Sequence, residues 1–198
     1  MTEPSRSVDK PLPKTSDAHP IQVDFLPEEL IPGATARVGM TLAPGKKTWG
    51  IEGPWNRDLD TDLSRLVDVF QISLLVCLLE EWELESFHMG KLFPKAHALG
   101  METLHVAIKD GGVPRERAPI VALVTHILTT LRGGRNVLVH CRGGVGRTGL
   151  VVAACLIETG RDADAAIALV RAARKDTVEP GRQERWLREH ARAIAQVG

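Results

Sequence analysis

A cysteine and an arginine in the run Val139-His140-Cys141-Arg142-Gly143-Gly144-Val145-Gly146-Arg147-Thr148-Gly149 enclose five residues, three of them glycine. An apolar run, Val137 to Val139, enters this segment, and a second apolar run, Leu150 to Ile157, leaves it. That order predicts strand, glycine-rich turn and helix. Such a turn aims successive backbone N–H groups at one point, where the positive end of the helix dipole also points, and so cradles a phosphate-sized dianion. Cys141 stands at the base of the cradle, and the planar fork of Arg147 can close over the anion. The same field favours a thiolate over a thiol, which makes Cys141 the expected nucleophile.

Hydrolysis of a phosphate ester needs a nucleophile, charge stabilisation of the transferring group and a proton for the leaving oxygen. The backbone N–H groups of Arg142, Gly143, Gly144, Val145, Gly146 and Arg147, with the Arg147 guanidinium, supply the second requirement. Asp110, in Asp110-Gly111-Gly112-Val113-Pro114, is the candidate proton donor and afterwards the base that activates water. An isolated Asp-Gly-Gly is also an ordinary turn, but a predicted strand delivers this one. Thr148 can donate its hydroxyl to the Cys141 sulfur and ease its departure from phosphorus, or it can cap the following helix. His140 is read as fixing the loop through backbone hydrogen bonds. The other histidines, among them His88, His97, His105, His126 and His190, show no metal-ligand spacing, and there is no Cys-x-x-Cys, so no metal and no cofactor are expected. Cys77 and Cys155 read as packing residues, with the alternative that Cys77 traps oxidised Cys141 as a disulfide. The acidic run Glu80-Glu81-Trp82-Glu83 reads as a solvated edge between strand and helix.

The His-Cys-x5-Arg-Thr-Gly run resembles the signature of cysteine-dependent protein tyrosine and dual-specificity phosphatases, which work through a phosphocysteine intermediate. Asp110 to Pro114 resembles the acid loop of that superfamily. Ile31-Pro32-Gly33, Ala43-Pro44-Gly45 and Arg57-Asp58-Leu59-Asp60-Thr61-Asp62-Leu63 resemble the branch containing the cyclin-dependent-kinase-associated phosphatase and its bacterial relatives. The likeness runs from about residue 30 to the C-terminus. It implies a phosphorylated protein substrate, with phosphotyrosine against phosphoserine or phosphothreonine left open. The family often carries a glutamine that positions the hydrolytic water and a second one later. Anchored on Trp186-Leu187, Gln183 falls at the later position and Glu179 at the first. The loop lacks the two lysines of the phosphoinositide-specific branch, which argues against an inositol-lipid substrate.

Sulfurtransferases and arsenate reductases also set a cysteine at the base of an anion loop, but they need no acid loop and do not typically end on Arg-Thr-Gly. A phosphatase for a non-protein phosphoester stays open. A non-catalytic phosphate-binding module is disfavoured by the presence of nucleophile, arginine and acid together. A nucleotide P-loop is excluded, because no Gly-x4-Gly-Lys-[Ser/Thr] occurs.

The elements that must position these residues follow from the apolar pattern. Ile72 to Leu79 is an apolar run of strand length, interrupted only by Ser73, expected in the middle of a sheet and buried on both faces. Thr103 to Ile108 is the strand before Asp110. Helices are predicted over Asp60–Phe70, within Glu83–Met89 and Pro94–Leu99, and over Ala118–Leu131, Thr148–Glu158, Ala163–Arg174 and Gln183–Ala195. Ile21–Leu26 and Arg37–Leu42 read as short edge strands. Alternating strands and helices imply an α/β fold, a central mostly parallel sheet flanked by helices. Such sheets bind ligands at the carboxyl ends of their strands, where Asp110 and Cys141 both fall. Residues 1–20, with Pro4, Pro11, Pro13 and Pro20 among Ser, Lys and Asp, are expected to be a disordered tail before one domain over 21–198.

The chain has 198 residues, 43% hydrophobic, enough for one domain with a proper core. Its formal net charge is zero, so no field for nucleic acid or an anionic membrane is expected. Three unclustered cysteines suit a reducing compartment. No apolar stretch reaches membrane-span length, and the first residues lack the apolar core of a signal peptide. A cytoplasmic monomer is the expectation.

Overall fold

A computed structural model describes residues 11–50 and 53–196. In chain order the strands are β1 (Asp24–Phe25), β2 (Val38–Thr41), β3 (Lys47–Gly50), β4 (Gly53–Asn56), β5 (Ile72–Cys77), β6 (Glu102–His105) and β7 (Asn136–His140). The α-helices are α1 (Leu59–Asp68), α2 (Glu81–Ser86), α3 (Leu92–Ala98), α4 (Ala118–Arg132), α5 (Gly146–Glu158), α6 (Ala163–Ala173) and α7 (Arg182–Ala195).

The apolar run at β5 takes the central place that its composition requires. The sheet order is β1-β2-β7-β5-β6, antiparallel only between β1 and β2. Leu74, Val76 and Leu78 pack into one core with Val137 and Val139 and with residues of α4 to α7. Leu75, Cys77 and Leu79 pack into a second core with Leu138 and residues of α1, α2 and α3. The mostly parallel α/β architecture expected from the sequence is therefore observed. β2 departs from expectation. It lies between β1 and β7 with all four residues buried, because Gly39 lets Val23 and Phe25 close over it from the β1 side.

Residues 1–10 of the expected disordered tail lie outside the described residues. Residues 11–20 correct it. The Lys14 amide donates to the Pro54 carbonyl (2.9 Å), and the Asn56 amide donates to the Lys14 carbonyl (3.1 Å). Buried Ser16 accepts from the Asp58 amide (2.9 Å) and donates to the Asp58 carbonyl (3.2 Å). A polar, proline-containing strap stays ordered when an existing edge satisfies its backbone. That edge is the β3–β4 hairpin, which the sequence reading missed. The alternation around Thr48-Trp49-Gly50 and Gly53-Pro54-Trp55 was its only signal.

The strand ends deliver the chemistry. Beyond β6 the chain keeps pairing with the end of β5, Val106 to the Cys77 carbonyl (3.1 Å) and Ile108 to the Leu78 carbonyl (3.2 Å). It then turns at Asp110. β7 ends at His140, and α5 begins five residues after Cys141. Asp58 caps α1, accepting from the Thr61 amide (2.8 Å), and the hydrogen bonds from Thr61 hold its carboxyl below the usual range. Asp62 in the first turn of α1 pairs with buried Arg57 (2.6 Å) and accepts from the Gly45 amide (2.8 Å). The Arg57 to Leu63 motif thus fixes the hairpin and the segment after β2 onto α1.

Candidate active site

The turn between β7 and α5 is as tight as its glycines suggest. Gly144 has φ +70°, and a Cβ there would meet the Thr41 carbonyl oxygen at 2.2 Å. Only glycine fits, on both counts. A Cβ on Gly146 would lie 2.3 Å from Glu179 Oε1. The loop is braced from outside by the segment before α7. Arg174 donates to the Gly143 carbonyl (3.0 Å) and pairs with Asp24. Arg171 holds the carbonyls of Thr177 (3.0 Å) and Val178 (2.7 Å). Val178 is fully buried with φ +60°, a strained conformation for a β-branched residue that persists only where its surroundings dictate it. That strain delivers Glu179 to the lip of the turn.

Arg147 is 1% exposed and densely engaged. Its Nη1 donates to Glu83 Oε2 (2.5 Å) and the Ile108 carbonyl (2.9 Å). Its Nη2 donates to Glu83 Oε1 (2.9 Å) and Asp110 Oδ1 (2.9 Å). Burial alone would lower its pKa. The Glu83 hydrogen bonds and the charges of Cys141, Glu83 and Asp110 outweigh burial and raise it, so the guanidinium stays charged. Arg147 Nε and Thr148 Oγ1 are buried and have no hydrogen-bond partner among the described residues. Buried donors left unsatisfied are rare and costly, and both stand in the turn that would receive an anion.

The structure brings Cys141, Arg147, Asp110 and the loop from Arg142 to Gly146 together at one end of the sheet. Thr148 lies inside α5, whose N-cap position is Val145, so its capping alternative is set aside. His140 is buried, with Nδ1 against the Cys141 carbonyl (3.3 Å), and burial pushes it down to about 4. It is neutral at neutral pH. Gln183 makes no hydrogen bond to the loop among the described residues. Its Oε1 accepts from the Glu179 amide (2.8 Å), and its Nε2 donates to the Gly112 carbonyl (3.1 Å), so it ties the acid loop to the segment carrying Glu179. Cys77 pairs in register with His140 but packs in a different core cluster from Cys141, and burial pushes its thiol up to about 12. Burial likewise pushes Cys155 up to about 12.

Glu83 is the residue that the sequence reading missed, and it corrects the expectation of a solvated acidic edge. It is 1% exposed, and besides holding Arg147 it accepts from the Glu80 amide (2.9 Å) in a capping box at the start of α2. The Glu80-x-x-Glu83 spacing was its one local signal.

His190, on α7 and facing Glu158 at the end of α5 (3.2 Å), is also pushed down to about 4, by burial and by the charge of Arg117. An unfolded histidine titrates near 6.5. Between these values the unfolded chain binds protons that the folded chain refuses, so stability should fall as pH drops from about 6.5 toward 4. The denaturant midpoint should decline over that window, and less steeply in His190→Gln. A midpoint that stays level would show that protons reach both histidines without unfolding.

Comparison with known proteins gives concordant results. A family model described as a polymorphic toxin system DSP-PTPase phosphatase matches residues 50–161. Cyclin-dependent kinase inhibitor 3 of Rattus norvegicus is 30% identical over 146 residues, covering 73% of this chain. The chain spans 65% of the length of that relative. Among solved structures, a kinase associated phosphatase superposes with a TM-score of 0.80 at 24% identity, over 89% of this chain and 97% of that one. The phosphatase Tk-PTP gives 0.65 at 26% identity, over 81% and 97%.

Proposed function

The chain belongs to the DSP-PTPase phosphatase family, and on that premise we propose that it hydrolyses phosphotyrosine, phosphoserine or phosphothreonine in proteins through a phosphocysteine intermediate. One observation carries the reading. Cys141, buried at the base of a glycine turn that starts a helix, shares its end of the sheet with a buried arginine whose Nη2 bonds Asp110 Oδ1 at 2.9 Å.

In this reading the Cys141 sulfur attacks phosphorus, the S–P bond forms, and the P–O bond to the leaving group breaks as Asp110 gives that oxygen a proton. Water then attacks phosphorus, Asp110 takes the proton, and the S–P bond breaks to regenerate the thiolate and free phosphate. The loop N–H groups and Arg147 carry the charge on the transferring group. The Thr148 hydroxyl eases departure of the sulfur. A phosphoryl group in the cradle competes with Asp110 for Arg147 Nη2, which frees the carboxyl to turn toward the leaving oxygen. Glu179, at the lip beside Gly146 and Gly111, is better placed than Gln183 to hold the water. Asp110 is half exposed, as a group that meets substrate must be.

Release of inorganic phosphate from a panel of phosphotyrosine, phosphothreonine and inositol phosphate substrates tests this directly, and release from none would sink it. Asp110→Asn should cut turnover by roughly 10²–10⁴ on substrates with poor leaving groups, and much less where the leaving group needs no proton. The basic limb of the pH–rate profile should vanish in that variant. Its persistence would assign the acid to another residue.

The domain is read as one unit over residues 21–198, with the ordered strap from Pro11 packed against it, and as a monomer. Among the described residues no helix is long and apolar enough to cross a membrane, and the three cysteines are free thiols, which supports a cytoplasmic site of action.

A further inference from the structure

The β3–β4 hairpin carries two tryptophans on opposite faces, and the fold uses one of them. Trp55 lies under the cations of Lys46 (4.3 Å), Lys14 (5.0 Å) and Arg57 (6.0 Å). A Cβ on Gly50 would come within 2.9 Å of its indole nitrogen. Trp49 pairs with Pro54, alternates to the other face, and is 64% exposed. An indole left in water costs free energy that nothing inside this hairpin offsets.

Its location gives the exposure a meaning. The Trp49 carbonyl accepts from Arg142 Nη2 (3.2 Å), and the Arg142 carbonyl accepts from Lys46 Nζ (3.0 Å). The Lys47 amide donates to the Phe87 carbonyl (3.0 Å). The hairpin is thus tied on both sides to the residue that follows the nucleophile. Arg142 also lies over the Phe87 ring (5.5 Å), with Nη1 4.0 Å from Asp110 Oδ2. One side chain therefore links the proton donor to the backbone of Trp49. Exposed Lys47 lies on the same face of the strand as Trp49, two residues away.

Resting on the phosphatase reading above, we propose that Trp49 is a specificity-determining residue: its indole receives an apolar side chain of the phosphorylated polypeptide substrate, flanking the phosphoresidue. A polypeptide continues past its phosphoresidue at about 3.3–3.6 Å per residue, and Arg142, bonded to the Trp49 carbonyl, marks the way from the cradle to the hairpin. A compact phosphoester has no such continuation. Lys47 and Arg142 favour an acidic residue in the same segment, complementary to the cationic rim. Tryptophan suits this work because it offers a large rigid surface at small entropic cost.

The test compares wild type, Trp49→Ala and Trp49→Phe on p-nitrophenyl phosphate and on phosphopeptides carrying leucine or glycine at each flanking position. On the preferred leucine peptide, Trp49→Ala should lose about tenfold or more in kcat/KM, and Trp49→Phe much less. Rates on p-nitrophenyl phosphate should stay within about twofold, and the glycine peptides should already be poor substrates for wild type. Equal losses on peptide and small ester would make Trp49 a structural residue, and unchanged peptide rates would remove it from recognition. A concentration-dependent sedimentation shift abolished by Trp49→Ala, with peptide rates intact, would make this face a self-association surface. Each of these overturns the proposal while leaving the phosphatase reading standing. Failure of the wild type to release phosphate from any of these substrates would overturn that reading instead.

Discussion

Cys141→Ser is expected to fold, to bind phosphate about as well as the parent, and to turn over less than about one per cent as fast. The reasoning rests on what surrounds the position. The anion cradle is built from backbone N–H groups and Arg147, none of which the substitution alters. A serine hydroxyl, unlike a thiolate, needs a base in contact to become a nucleophile. His140 is the nearest candidate by sequence, but its Nδ1 faces the Cys141 carbonyl and its Nε2 has no partner. Asp110 bonds Arg147 and, once substrate displaces it, turns toward the leaving oxygen, across phosphorus from the side chain at 141. No base therefore addresses the side chain at 141. Calorimetric titration with inorganic phosphate, beside phosphate-release rates, separates affinity from turnover. Residual activity above about one per cent would argue against a phosphocysteine route.

The parts of this site that lie along one short stretch of chain are legible in the sequence. The loop from Cys141 to Thr148 is a local object: glycine positions, strand before and helix after determine it, and Gly144 shows why, since no other residue fits beneath the Thr41 carbonyl. β5 declared itself by an apolar run interrupted only by Ser73, and Asp110 by following a strand. Glu83 was hidden because its meaning is non-local. In sequence it is one acid in an acidic run, and only the fold brings α2 over Arg147. The bend at Val178 was unreadable for a related reason, since a buried valine with positive φ is imposed by Arg171 and Gln183 rather than by its own preference, and Glu179 was reached only through the Trp186-Leu187 anchor. The strap from Pro11 misled because composition measures what a segment can bury alone. Here a hairpin edge and the Ser16–Asp58 exchange supply its partners. β2 misled because Pro and Gly flanks suggest an edge, whereas Gly39 serves close approach within the sheet.

Arg147 and Glu83 make the sharpest joint prediction. Arg147→Lys should lower kcat/KM by roughly 10²–10³ or more, because an ammonium cannot span two oxygens of the transferring group while keeping two bonds to one carboxylate. Glu83→Gln keeps the shape of the partner and removes its charge. It leaves a buried guanidinium with only the half-exposed Asp110 carboxylate and the Cys141 sulfur to offset its charge, and breaking a buried pair typically costs about 3–5 kcal/mol. Glu83→Gln should therefore destabilise the fold measurably. It should also lower kcat, because the guanidinium loses the two-point grip that orients it toward the cradle. Stability loss alone would accompany any disrupted buried pair, so the decisive readout is anion affinity. In a Cys141→Ser background, adding Glu83→Gln should weaken phosphate binding under conditions where the protein is still fully folded, and adding Arg147→Lys should weaken it further. If the Glu83 variant loses stability yet binds phosphate as the Cys141→Ser parent does, Glu83 only holds α2 in place. Arg147 would then owe its orientation to the Ile108 carbonyl and Asp110 instead.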